Sequence, residues 1–213
     1  MPYTVKATLV GFMGNQEKFP CHFDYKIGDW FTYDGEKFEG KVCSGLMHTV
    51  VPDMMIMAHS GQKHFERIMF RYHGGRSVRD LSFKKYDGVG FRMAKDTPDP
   101  EKSVFTPRPG GGRISFCGDP LTLAGFRIEP IDLAPGGYFR GDYMREISIF
   151  EKIKAEPGLT VDDILSKYND FERYDVYPQL NPGLVQLALE ELETVNYIEM
   201  KDGKAYPKKK KKS

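Results

Sequence analysis

The sequence predicts an α+β protein in two parts, a strand-rich N-terminal domain with short helices and a winged-helix-like C-terminal domain. Three observations carry this. Alternating, β-branched stretches recur through the first two thirds of the chain. A proline- and glycine-rich stretch at 94–113, with four prolines and three consecutive glycines, reads as a linker or long surface loop. Beyond it, three helical patterns precede a short hairpin. The boundaries expected are 1–142 for the first domain, 143–207 for the second, and a basic tail at 208–213.

In chain order, TVKATLVGF (4–12) alternates and reads as a strand. Trp30–Tyr33 and Lys37–Glu39 flank Asp34-Gly35, a hairpin signal because glycine tolerates φ > 0. Leu46, Val50, Met54 and Met57 fall at helical spacing across Pro52, which predicts two short helices or a kink at that proline. FERIMFRY (65–72) is expected to be a strand, as are Ile114–Cys117 and Phe126–Leu133, with Pro130 placing the last at a sheet edge. SIFEKIKA (148–155) reads as helix. Thr160 with Asp163 forms a capping box for the next one. Pro182 opens a third, with Leu184, Leu187, Ala188, Leu192 and Val195 on its apolar face. YIEMKDGKAYP then turns at Asp202-Gly203 as the wing.

Composition bounds the function classes. With 213 residues, 40% of them hydrophobic and 29% charged, the chain has enough sequence for a substantial core. No run of about 18 apolar residues occurs, so no membrane partner is expected. The opening MPYTVKATLVGF carries one lysine and no cleavage-site pattern, so a signal peptide is not expected and a cytoplasmic location is. Three cysteines make an odd, low count that fits reduced thiols better than a disulfide framework.

The candidate chemistry lies in a Cys/His group: Cys21, His22, Cys43, His48, His59 and His64, with Cys117 further on. Thiolates and imidazoles suit a transition metal, and a thiol needs only a nearby base to become a nucleophile. The leading candidates are Cys21, Cys43, His48 and His59. The blander reading is that these cysteines are core thiols. Met47, Met54, Met55 and Met57 beside two of the histidines add soft ligands for copper, although a methionine-rich helix more often packs a core. The Gly-Gly-Arg clusters lack phosphate-loop spacing and read as turns. No Gly-x-Ser-x-Gly or His-Glu-x-x-His motif occurs.

Charge decides how the C-terminal part is read. Arg145 to Pro207 holds seven basic and thirteen acidic residues, a net of −6. The helix expected to face DNA carries Glu190, Glu191 and Glu193 and no lysine or arginine. Docking such a face on phosphates would be repulsive, so these glutamates are expected to contact protein rather than DNA. Lys208–Lys212 supplies five positive charges, enough for salt-sensitive, non-specific attraction only.

Cys21, Ile27-Gly28-Asp29, Gly40-Lys41-Val42-Cys43, Pro52 and Gly61 together resemble a small prokaryotic family with a Cys…Gly-Asp…Cys…Pro pattern and no established activity. The resemblance covers roughly residues 4–92 and implies that Cys21, Gly28, Asp29, Cys43 and Pro52 are its motif positions. Ile114–Leu133, with Cys117-Gly118-Asp119, resembles a degenerate second copy. The function expected is a non-catalytic accessory or adaptor subunit of a cytoplasmic metabolic complex, holding a protein partner through the acidic winged helix. The alternatives are a metal- or thiol-dependent enzyme or metal-binding protein using Cys21 and Cys43, and a DNA-binding regulator.

Overall fold

Alternation sets the central strand. In Tyr3–Phe12 (β1), Tyr3, Val5, Ala7 and Leu9 are buried and the residues between them are half-buried, the period of two that a pleated strand imposes. The computed structural model describes residues 3–72 and 112–208. It is α+β, with strands Trp30–Tyr33 (β2), Phe38–Gly40 (β3), Arg113–Phe116 (β4) and Ala124–Leu133 (β5) joining β1 in one sheet of order β3-β2-β1-β5-β4. The β2–β3 hairpin turns at the expected Asp34-Gly35, where Asp34 Oδ1 accepts the N–H groups of Glu36 (3.0 Å) and Lys37 (2.9 Å). Phe31 and Phe126, both fully buried, meet edge to face at 5.9 Å and anchor the core of this sheet.

Three expectations for this part change. Strand β5 lies between β1 and β4, so Pro130 is not on an edge strand. It falls two residues past the Arg113–Ile128 pair that ends the β4 register, where no β4 partner needs its missing N–H. The helix Val50–Tyr72 (α1) starts before Pro52 and tolerates it in the first turn. Its break is at Gly61 (φ 65°, ψ −178°), a conformation that favours glycine. Residues 65–72 continue this helix instead of forming a strand. Phe65, Ile68, Met69 and Tyr72 stand at i, i+3, i+4 and i+7, and that helical spacing outweighs the partial alternation.

The later elements are the helices Arg140–Ala155 (α2), Val161–Ser166 (α3) and Pro182–Thr194 (α4), then the hairpin Ile198–Lys201 (β6) and Lys204–Pro207 (β7). The expected capping box and the helix start at Pro182 are present. Thr160 and Asp163 form a capping box at α3, and the Asn181 side chain accepts from Leu184 N at 2.9 Å ahead of Pro182. An isolated bridge pairs Leu159 with Ala205 of β7. Contacts divide the chain into two units, Thr4–Pro130 and Ile131–Ser213, the second including Met1–Tyr3. Most of the 94–113 stretch and of the lysine tail lies outside the described residues. Among the described residues, no helix is long and apolar enough to cross a membrane.

Candidate functional site

Three loops of the first unit bring its cysteines to one place. After β1 the chain turns at Asn15, whose Oδ1 accepts the N–H groups of Glu17 (3.0 Å) and Lys18 (3.1 Å). Gln16 then links two loops, its Oε1 accepting Cys21 N at 3.3 Å while its Nε2 donates to Thr122 O at 3.4 Å. Gly14 packs so closely on this second loop that a Cβ there would lie 1.8 Å from Leu121 O. The second loop joins β4 to β5 and is fixed by Asp119 and Cys117. Asp119 accepts from Leu121 N (2.9 Å), Thr122 N (3.3 Å) and the Thr122 hydroxyl (2.8 Å), and the Leu121 N–H foremost holds its carboxyl below the usual range. Cys117 N donates to Ala124 O at 2.8 Å, and Ala124 N donates back to Cys117 Sγ at 3.1 Å.

The third cysteine is set by a tyrosine. Tyr25, 4% exposed, donates its hydroxyl to Lys41 O (2.5 Å) and accepts from Cys43 N (3.1 Å). Its ring stands edge-on to Phe126 at 5.4 Å. Burial pushes the Tyr25 phenol up to about 12, so it stays neutral and keeps both bonds at ordinary pH.

The outcome is a pocket of about 40 Å³ lined by Cys21, Cys43 and Cys117, with Tyr25, Leu46 and Phe126 as apolar walls and His22 and Asp119 also on its lining. A space of this size holds no more than a few water-sized groups. All three thiols are free; Cys43 is buried and the other two are half-buried. Burial raises the Cys117 thiol above its ordinary value. Among the described residues, no group of three or more His, Cys, Asp or Glu is placed to hold a metal ion.

The structure thus brings Cys21 and Cys43 together and adds Cys117, which the sequence marked through Cys117-Gly118-Asp119. His48 and His59 are exposed and line no part of this pocket, which separates them from the thiols. Met54 and Met57 are fully buried core residues, while Met47 and Met55 are exposed. Gly28 and Asp29 form a turn on β1: Gly28 N donates to Leu9 O, Leu9 N to Asp29 O, and Asp29 Oδ2 accepts Lys26 N at 2.8 Å. Pro52 sits in the first turn of α1. Tyr25 had no motif to mark it, because its role depends on Cys43 and Phe126 reaching it in space.

The second unit has its own unusual side chains. Arg145 on α2 is 7% exposed and donates to the carbonyls of Pro178 (2.8 Å), Glu172 (2.7 Å) and Val176. Those bonds clasp a segment whose Phe171, Tyr174 and Tyr177 are 66%, 51% and 85% exposed. The glutamates of α4, expected to contact protein, are not all at the surface. Glu193 is exposed and accepts Met200 N at 3.0 Å, Glu190 is half-buried, and Glu191 is buried beside Glu146 of α2. The α4 core is Val185, Ala188, Leu189 and Leu192, with Leu184 and Leu187 only half-buried. Leu184, Leu187, Ala188 and Glu191 share the i, i+3, i+4, i+7 stripe, so the stripe read from the leucines leads to Glu191. No family model, curated protein or solved structure matches this chain.

Proposed function

We propose that this chain is an accessory protein whose chemistry is reversible thiol oxidation at the Cys21/Cys43/Cys117 pocket. One observation carries the reading: three separate segments deliver every cysteine of the chain to a single small apolar space. Core cysteines need no such meeting point. Cys21 is half-buried like Cys117, and it is assigned the first meeting with a peroxide because burial raises the Cys117 thiol. The Cys21 sulfur attacks the peroxide, giving a sulfenic acid and releasing water; the second thiol displaces hydroxide from that sulfur, forming the disulfide and a second water. The balance is two thiols and one hydrogen peroxide to one disulfide and two waters. Cys117 suits the second role, because burial keeps it protonated and slow toward peroxide. Cys43 is buried and held by Tyr25, and serves as wall.

Mass spectrometry of the protein treated with hydrogen peroxide tests this. The expected product has lost two free thiols, carries a Cys21–Cys117 link and reverts with dithiothreitol; Cys21→Ser and Cys117→Ser each abolish the link. Both thiols remaining free at a peroxide dose that fully oxidises glutathione would sink the proposal.

A second reading is favoured by the clasped aromatic segment. The order of three helices and a hairpin, with the Leu159–Ala205 bridge, supports a winged helix in the second unit. Its exposed Phe171, Tyr174 and Tyr177, residue types that concentrate binding energy at protein interfaces, favour a protein partner. The acidic balance of the unit and an α4 without lysine or arginine disfavour DNA. The chain ending at Pro207 is therefore expected not to bind duplex DNA at physiological salt. Sequence-selective binding by that truncated chain would overturn the protein-docking reading.

A further inference from the structure

Each segment that brings a cysteine to the thiol pocket also leaves one large apolar side chain in solvent. Phe19, just before Cys21, is 41% exposed; Met47, one turn beyond Cys43, is 46% exposed; Leu121, one turn beyond Cys117, is 52% exposed. The three segments are held side by side. The Thr122 hydroxyl donates to Phe19 O at 3.5 Å, and Gly118 lies so near the turn after Cys43 that a Cβ there would be 3.5 Å from Gly45 O. Leu46 and Thr122, the chain neighbours of Met47 and Leu121, line the pocket themselves. Single exposed apolar side chains are ordinary, but three gathered around reactive thiols form a rim that marks an interaction site.

Rim and pocket together indicate what covers them. Residues 43–49 contain no Asp, Glu, Lys or Arg, and within 14–23 Glu17 and Lys18 cancel. In 117–123 the one charged residue is Asp119, whose carboxyl is bonded to its own loop. A surface this neutral has nothing to complement the carboxylates and ammonium of glutathione. The pocket, of about 40 Å³, admits a sulfur and little else. A cysteine on an apolar stretch of protein fits both features, its sulfur reaching Cys21 while its flanking side chains cover Phe19, Met47 and Leu121.

We propose that this rim docks a cysteine-bearing apolar segment of a partner protein, whose dithiol takes over the disulfide formed between Cys21 and Cys117. The inference deepens the thiol reading and rests on it. The partner's thiolate bonds to the Cys21 sulfur, the Cys21–Cys117 bond breaks, and Cys117 leaves with the electron pair and takes up a proton. The partner's second thiolate then attacks the partner's own sulfur in the mixed disulfide, and Cys21 leaves and is protonated in turn. One disulfide and one dithiol become one dithiol and one disulfide, so no further oxidant is needed.

The test uses the reduced full chain without peroxide. The probes are acetyl-leucyl-cysteinyl-phenylalanine amide and acetyl-glutamyl-cysteinyl-glutamic acid amide, each carrying a 2-thiopyridyl group on its sulfur. Cys21 attacks the peptide sulfur, forming a mixed disulfide and expelling 2-thiopyridone, whose absorbance is followed. With each rate normalised to that of free N-acetylcysteine, the apolar peptide is expected to react about tenfold faster than the acidic one. Phe19→Ser and Leu121→Ser are each expected to remove most of that preference and to leave the acidic peptide's rate unchanged; Cys21→Ser abolishes the fast reaction. Equal normalised rates, a preference that survives in both rim variants, or one that persists in Cys21→Ser overturns the inference. A Cys21–Cys117 link that forms with peroxide in a chain without the preference overturns the docking surface alone. The preference in a chain that forms no such link upholds the docking surface and overturns the peroxide chemistry.

Discussion

Tyr25 shows how one hydroxyl holds a site together. It accepts Cys43 N and donates to Lys41 O, so removing it leaves a buried N–H without its partner. An orphaned buried donor costs about 1–3 kcal/mol. Tyr25→Phe is expected to lower the unfolding free energy by about that much in urea, with the slope of the transition unchanged, and to speed the reaction of Cys43 with a thiol reagent. A variant as stable as the parent, with Cys43 no more reactive, would show that the hydroxyl anchors nothing. Cys21 and Cys43 could be read from the sequence because cysteine chemistry marks itself. Tyr25 could not, since a tyrosine eighteen residues from its partner looks like any other aromatic.

At the scale of elements, the packing of α2 on α4 fixes a pH response. Burial, above all, raises the carboxyl of Glu146 and that of Glu191 above the ordinary value of 4.5. Between about pH 4.5 and the raised folded values, this pair therefore binds more protons in the folded chain than in the unfolded chain. The pair's contribution is complete below about pH 4.5 and is lost steadily as pH rises toward the raised folded values. Glu191→Gln, which mimics the protonated acid, is expected to be more stable than the parent by about 1–3 kcal/mol at pH 8 and nearly equal to it at pH 4.5. Thermal melts of both proteins across that range check this; a gain of the same size at both ends would place the benefit elsewhere than in the proton. The same helix shows where sequence patterning fails. Its leucines predicted one apolar stripe and its glutamates a protein contact, but hydrophobic periodicity does not reveal that a neighbouring helix brings a second acid to meet Glu191. The capping box of Thr160 and Asp163 and the helix start at Pro182 were legible because capping is local chemistry.

For the molecule as a whole, the strands of the sheet were readable, although 65–72 is helix where a strand was expected, and strand neighbours were not. The alternation in β1 identified a strand, and the Asp34-Gly35 turn tied β2 to β3, because both signals lie within a few residues. That β1 also has β5 at its side is a long-range fact, with no local signature to announce it. This order bears on how the chain is made. The first strand ends at Phe12, and its neighbour on the far side does not begin until Ala124. At a synthesis rate of 5–20 residues per second, the ribosome takes on the order of ten seconds to deliver the second from the first. Until β5 is made, pairing of β1 with β2 and β3 leaves the N–H and C=O groups along the other side of β1 without their partner strand. Completion of this sheet therefore waits on a strand made late in the chain, and the closure of so long a loop is a cost that folding meets before the β1–β5 pairing repays it.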